Sequence, residues 1–188
     1  MVGKASNPHM KAGQILGCDV TSAVSVENLV DSFVIVGAGL FHSLGVGLKV
    51  TKKCWLLDVE KREVVDVDPY VKRTLSLIAE RIDRARRARR FGVIIGLKDG
   101  QTRVHLAEEI AERLKRAGKE VIKVAVREVT EERLSYYPEV EAFIQTACPR
   151  ISIDDITSFK RPVLSYEQYE VMIGEKRFED VYPSCRRL

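Results

Sequence analysis

Apolar residues along this chain gather in short runs of strand length: Phe33–Val36, Cys54–Leu57, Phe91–Leu97, Val121–Val126, Ala142–Thr146 and Pro162–Leu164. Most are nearly continuous in Val, Ile, Leu and Phe, the pattern of parallel strands covered on both faces. Between them the period changes. Val71, Leu75, Ile78, Ile82 and Ala85 recur at three- and four-residue steps, which predicts one long helix with a single apolar stripe. Asp68-Pro69 suits its start, with Asp68 as N-cap and Pro69 at the first helical position. A second helix is expected from about Thr102 to Ala117, with Val104, Ala107, Ile110 and Leu114 inward and Gly118 as its stop.

Strand 91–97, this helix and strand 121–126 read as a right-handed crossover unit. A second strand, short helix and strand follow, with Ala142–Thr146 leading into Cys148. The expected fold class is α/β, with parallel sheets and flanking helices, one lobe partial and one a complete three-layer lobe. Residues 1–90 are read as the partial domain with its connecting helix, and 91–188 as an α/β domain with a C-terminal tail. Residues 1–12 offer no strand and no helix, yet a covered sheet needs more than two strands. Either another chain supplies the rest of the first lobe, or that lobe packs against something.

Composition narrows the setting. At 188 residues with 45% hydrophobic side chains, a packed core is available and wholesale disorder is not expected. No apolar run approaches the roughly 20 residues needed to span a bilayer, and Met1–Lys11 lacks a signal-peptide stretch. A cytoplasmic protein without membrane attachment is expected. In that setting Cys18, Cys54, Cys148 and Cys185 are read as reduced thiols or metal ligands rather than disulfides. The net charge of +4 is mild. Arg81, Arg84, Arg86, Arg87, Arg89 and Arg90 form its main concentration, at the end of the long helix where cations oppose the negative end of the dipole. An RNA-binding module would rest on this cluster alone, and the cluster lacks the interleaved aromatics that stack on bases.

Ligands of open α/β sheets bind at the carboxyl ends of strands, and three loops stand there. Gly37-Ala38-Gly39-Leu40-Phe41-His42-Ser43-Leu44-Gly45 has glycines that permit close backbone approach, but His42 stands where a dinucleotide fingerprint needs glycine. Gly96-Leu97-Lys98-Asp99-Gly100-Gln101-Thr102-Arg103 opens a helix whose amino end suits a carboxylate or phosphate, and it is not a Walker loop. Thr146-Ala147-Cys148-Pro149-Arg150 places a cysteine at a strand tip, followed by Asp154-Asp155, which suit capping or backbone contacts better than catalysis. A matching cysteine turn, Gly13-Gln14-Ile15-Leu16-Gly17-Cys18-Asp19, lies 130 residues earlier. Acting together, two such distant thiolates would hold a cluster between domains. Acting separately, they are two small buried residues.

In order along the chain, the motifs at 13–19, 39–45, 96–101 and 146–150 with Asp154-Asp155 resemble those of the archaeal diphthamide synthases. That family starts diphthamide formation on translation elongation factor two. The resemblance implies a homodimeric transferase of three similar α/β domains per chain, with one cysteine from each domain on a 4Fe-4S cluster. It implies S-adenosylmethionine bound at the open iron. Its methionine γ-carbon–sulfur bond would be cleaved on cluster reduction, and the resulting 3-amino-3-carboxypropyl radical would attack a histidine of the factor. An electron donor is implied as a further partner.

Cys18 matches the second-domain ligand of the family and Cys148 the third-domain ligand. Gly39, Phe41, His42, Lys98, Gly100, Gln101 and Arg103 are the residues expected to hold S-adenosylmethionine. No counterpart of the first domain and its cysteine is present, so either a separate first-domain polypeptide is the expected source of the third ligand, or the chain is a fragment or the product of a wrongly started reading frame. Cys54 reads as core, and Cys185 lies in a tail read as mobile. A non-catalytic partner subunit, or an inactive fragment of the same enzyme, is the alternative reading.

Overall fold

Every apolar run of the sequence becomes a strand in the computed structural model, which describes residues 1–188. The chain divides into two units, Met1–Ser76 with Arg177–Leu188, and Leu77–Lys176. The first unit contains α1 (Thr21–Val24), β1 (Ser32–Gly37), α2 (Phe41–Lys49), β2 (Lys53–Asp58) and β3 (Glu63–Asp66). Next comes α3 (Asp68–Arg87), whose residues fall in both units. The second unit continues with β4 (Arg90–Gly96), α4 (Val104–Arg116), β5 (Glu120–Val126), α5 (Glu131–Ser135), β6 (Ala142–Gln145), α6 (Ile151–Asp154), β7 (Val163–Leu164) and α7 (Tyr166–Met172). Helix α8 (Phe178–Val181) and a 3₁₀ turn at Pro183–Arg186 belong to the first unit again.

In the first unit the sheet order is β1-β2-β3, with β1 and β2 parallel and β3 antiparallel at the edge. Strand β3 is absent from the sequence reading, because Glu63, Val64, Val65 and Asp66 show no apolar run and Val64 faces solvent. One face of this sheet, carrying Ile35, Cys54 and Leu56, is buried. Against it lies α2, which carries Gly45 and Gly47. A Cβ on Gly47 of α2 would come within 2.6 Å of Val71 in α3, so glycine is what lets these two helices approach.

The expected boundary at residue 90 is not where the contacts divide the chain. The apolar stripe of α3 is continuous from Val71 to Ala85, so the helix serves both units instead of ending the first. Nor does the C-terminal tail stay with the second unit. Tyr182 is fully buried, the Ser184 hydroxyl donates to the Leu48 carbonyl at 3.0 Å, and Arg187 pairs with Asp68. That pairing also explains why Asp68 is not the N-cap. Val67 supplies the first accepting carbonyl, to the N–H groups of Tyr70 and Val71, while the Asp66 carboxylate accepts the Asp68 N–H at 3.0 Å.

The second unit is a four-stranded parallel sheet of order β5-β4-β6-β7. All four residues of β6 are buried, and β4 is buried throughout except at Arg90 and, in part, Ile95, as continuous apolar runs demand of a sheet covered on both faces. One cluster of this core joins Ile94, Leu134, Val140, Phe143, Phe159 and Val163. Helix α4 stops where Gly118 adopts φ +76°, with Gly118 N–H on the Lys115 carbonyl and Lys119 N–H on that of Leu114, a Schellman ending.

The arginine-rich end of α3 is largely consumed inside this unit. Arg81 donates to the carbonyls of Ile156 (3.2 Å) and Phe159 (2.9 Å), Arg84 to that of Lys160 (3.2 Å), and Arg86 to those of Val171 (3.1 Å) and Met172 (3.2 Å). These side chains close backbone ends rather than form a free cationic stripe. No helix is long and apolar enough to cross a membrane.

Candidate functional site

In the first unit, Cys18 stands at the tip of a two-residue turn. Leu16 and Asp19 exchange backbone hydrogen bonds of 3.0 and 3.2 Å, which leaves Gly17 and Cys18 as the turn residues. The Asp19 carboxylate then takes the N–H (3.0 Å) and hydroxyl (2.5 Å) of Thr21 at the start of α1. Those bonds, the hydroxyl's first, hold its carboxyl below the usual carboxylate range. The Cys18 thiol is exposed.

The same turn lies directly against the loop after β1. The Phe41 ring occupies the space a side chain on Gly17 would need. His42 meets that ring edge-on, with centroids 4.9 Å apart. Gly39 has φ +68° and nothing within 4 Å of where a Cβ would be, so the loop presents open backbone beside the cysteine turn. Cys18, Gly39, Phe41 and His42 therefore belong to one place.

Asp58 holds this loop, and the sequence reading missed it. The carboxylate sits buried at the end of β2, in register with Gly37 of β1. One oxygen accepts the Gly39 N–H at 3.1 Å, and the other accepts the N–H groups of Glu60 and Lys61 at 3.0 Å each. The Lys61 and Gly39 bonds, in that order, lower its pKa. An acidic residue ending a strand beside a glycine loop was the available signal.

In the second unit, β6 delivers Cys148 to the carboxyl end of the sheet, half-buried. Gln145 fixes the turn behind it, donating to the Cys148 carbonyl (2.9 Å) and the Ser152 hydroxyl (3.1 Å). The Thr146 hydroxyl donates to the Ile94 carbonyl of the adjacent strand at 3.0 Å. Gln145 also escaped the sequence reading, although a glutamine in a wholly buried strand is a signal. Arg150 is buried and pairs with Asp154 in α6. Burial raises the Asp154 pKa, and Arg150 opposes that shift. Asp154 thus meets a side chain, where the sequence reading of Asp154-Asp155 expected a helix cap or a backbone contact.

The loop after β4 abuts this turn. A Cβ on Gly96 would lie 2.8 Å from that of Ala147 and 3.4 Å from the Gln101 carbonyl. Gly100 takes φ +75°, and the Gln101 N–H closes the turn on the Lys98 carbonyl at 3.0 Å. Arg103 is exposed at the amino end of α4. The Lys98 ammonium lies 3.2 Å from the Glu128 carboxylate in an exposed ion pair.

The other two cysteines behave differently. Cys54 is buried in β2, and desolvation pushes its thiol up to about 12, so it stays protonated at any physiological pH. Cys185 is not on a mobile tail. Its N–H donates to the Tyr182 carbonyl at 3.1 Å within the 3₁₀ turn, and burial raises its pKa as well. No group of three His, Cys, Asp or Glu side chains suited to a metal ion occurs in the chain.

Cysteine turns set against glycine loops, with Cys18 exposed and Cys148 half-buried, mark this as an α/β protein with one such turn in each unit. The family model described as a putative diphthamide synthesis protein matches residues 1–183, and the chain belongs to that family. It is 30% identical over 185 residues to the 2-(3-amino-3-carboxypropyl)histidine synthase of Pyrococcus horikoshii, covering 96% of this chain and 52% of that protein. Subunit 1 of the human synthase is 28% identical over 184 residues, 93% of this chain and 39% of the human protein. A crystal structure of Dph2 from Pyrococcus horikoshii with a 4Fe-4S cluster superposes with a TM-score of 0.80 at 28% identity, again over 96% of this chain and 52% of that one. The chain thus spans about half the length of the archaeal relative and about two fifths of the human one.

Proposed function

We propose that this chain carries two of the three cluster-binding loops, and substrate-holding loops, of a 2-(3-amino-3-carboxypropyl)histidine synthase. The observation that carries the reading is repeated in each unit: Gly17-Cys18 packed on Phe41, and Ala147-Cys148 packed on Gly96. Cys18 and Cys148 would each give one thiolate to a 4Fe-4S cluster. The chemistry such a group supplies when bound is one-electron reduction of S-adenosylmethionine, which frees the 3-amino-3-carboxypropyl group for a histidine of translation elongation factor two.

The donor set fits only in part. Exposed Cys18 and half-buried Cys148 suit ligation, whereas Cys54 is held protonated and Cys185 is locked in a turn. A third thiolate would come from the counterpart of the part of the relatives that this chain does not match, on the same polypeptide or on another. An external reductant supplies the electron, and a homodimer is the proposed assembly. Within this chain, Asp58 keeps the Gly39 backbone turned open for close approach of S-adenosylmethionine. Phe41 and His42 form an aromatic wall beside it. Gly100 and Gln101 shape the loop at α4, and Arg103 is the cation free to meet the substrate carboxylate, a part Lys98 fills less well because of Glu128. With two accessible thiolates among the residues described, a second reading stands beside it, a non-catalytic partner subunit or inactive fragment.

Anaerobic reconstitution with iron and sulfide separates the two. The chain would be loaded alone and with a first-domain polypeptide, beside Cys18→Ala and Cys148→Ala. About four irons per complex, lost in both variants, and cleavage of S-adenosylmethionine after reduction are expected. An absence of bound iron in every preparation would leave the partner-subunit reading standing instead.

A further inference from the structure

Helix α2 is intrinsically weak, and its surroundings hold it. It has nine residues, two of them Gly45 and Gly47, and no side chain caps its amino end. Glycine is the poorest helix former after proline, and a helix this short is not stable alone in water. Yet every residue from Ser43 to Lys49 is buried or half-buried. Strands β1 and β2 lie against it on one side, and α3 approaches at Gly47 on another.

Residues 177–188 supply a further wall. A helix leaves its last four carbonyls without partners of its own. The Val46 carbonyl accepts the Val50 N–H at 3.1 Å, and the Leu48 carbonyl accepts the hydroxyl of Ser184, a fully buried residue 136 positions away. Ser184 is therefore a cap supplied from a distant part of the chain. Beside it, the fully buried Tyr182 lies under the Lys49 ammonium, 5.3 Å from its ring centroid, and packs on Phe178 at 5.1 Å. Arg187 ties the same segment to Asp68 at the start of α3.

The opposite end of α2 is where it leaves this enclosure. Phe41, 44% exposed, is its first residue, with His42 against the ring, and that ring lies on Gly17 beside Cys18. A short helix packed on several sides shifts as a body, because close-packed neighbours pass displacement on. We infer that Ser184 and Tyr182 are positioning residues for Phe41 and His42, acting through α2, and so for the contact with the Cys18 turn. What Phe41 and His42 do for a substrate rests on the proposed function. The chain of contacts from Ser184 to Gly17 does not.

Ser184→Ala tests this, since it leaves the Leu48 carbonyl buried without its partner. Amide exchange would be followed along α2, β1 and β2, together with the imidazole proton resonances of His42, one of only three histidines in the chain. Expected are exchange at Val46–Val50 faster by at least about tenfold, displaced His42 resonances, and β1 and β2 within about twofold of wild type. Should Ser184→Ala not fold, Lys49→Met disturbs the same wall from the helix side, and the same pattern is expected with a smaller amplitude. Two results would overturn the inference. One is His42 resonances that stay in place. The other is exchange accelerated equally over α2, β1 and β2, which would mean that the segment only stabilises the unit as a whole. Binding of S-adenosylmethionine to the reconstituted protein separates this inference from the synthase reading. Displaced His42 resonances in a protein that binds no S-adenosylmethionine, wild type included, would support the positioning role and count against the synthase. Normal binding with unmoved His42 resonances would do the reverse.

Discussion

The two sheets of this protein obey the same rules with different amounts of material. In the second, four parallel strands lie between layers, and Phe143 and Ile144, pointing to opposite faces of β6, are both fully buried. In the first, the neighbouring positions Val34 and Ile35 of β1 split, one exposed and one buried. A finished parallel sheet needs continuous apolar runs because both faces are dry. An apolar run with one face exposed is that of a sheet covered on one side only. Yet each sheet sets its cysteine turn against a glycine loop, with one polar side chain fixing the arrangement: Asp58 on the glycine loop in the first and Gln145 on the cysteine turn in the second.

The largest expected contrast is chemical, within the first sheet itself. With its thiol pushed up to about 12, Cys54 should react with iodoacetamide at pH 8 on the order of a thousandfold more slowly than exposed Cys18. Peptide mapping of labelled protein reads this directly, and comparable rates would mean that the core of the first unit opens freely. Next comes the difference in cover. Phe143→Ala should cost about 3–5 kcal/mol of stability, whereas Val34→Ala should stay within about 0.5 kcal/mol. Urea titrations of both would break the comparison if Val34 proved as costly as a core residue.

A smaller effect should appear where the cysteine turn meets its loop. Gly17→Ala drives a methyl group into the Phe41 ring and should cost about 1–3 kcal/mol. Most of that should be recovered in the Gly17→Ala/Phe41→Ala pair, because the clash is shared. Additive losses would mean that the turn and the loop are not coupled. The weakest effect concerns pH. The folded pKa of Asp58 is depressed, so its contribution is fully present above about pH 4 and is lost as pH falls through the lower folded value. Asp58→Asn should therefore be less stable than wild type at neutral pH, with the gap closing in acid. A gap of constant size down to pH 2 would show that the charge is not what holds Gly39.

Much of this was legible in the residues. The strand runs, both principal helices and the turns at 13–19, 96–101 and 146–150 read correctly, because periodicity and glycine placement are local consequences of burial and backbone freedom, whereas the loop read over 37–45 turns helical at Phe41, where α2 begins. Less legible was whatever depended on a distant partner. Strand β3 is polar and exists only because β2 offers it an edge. Asp68 has the look of an N-cap, but Arg187, more than a hundred residues away, takes its carboxylate while Asp66 does the capping. Lys98 has the look of a free cation until Glu128 is placed beside it.

The sequence by itself determined the class of fold, the two cysteine turns and the family, because each is written in contiguous motifs whose spacing survives without a structure. Only the tertiary structure decided which side chains share a place. It brought Gly17 to Phe41 and Ala147 to Gly96, returned the tail to the first unit, and left the outer face of β1 bare. Those outcomes follow from long-range packing, in which a residue's neighbours are set by where the sheet ends and not by its position in the chain.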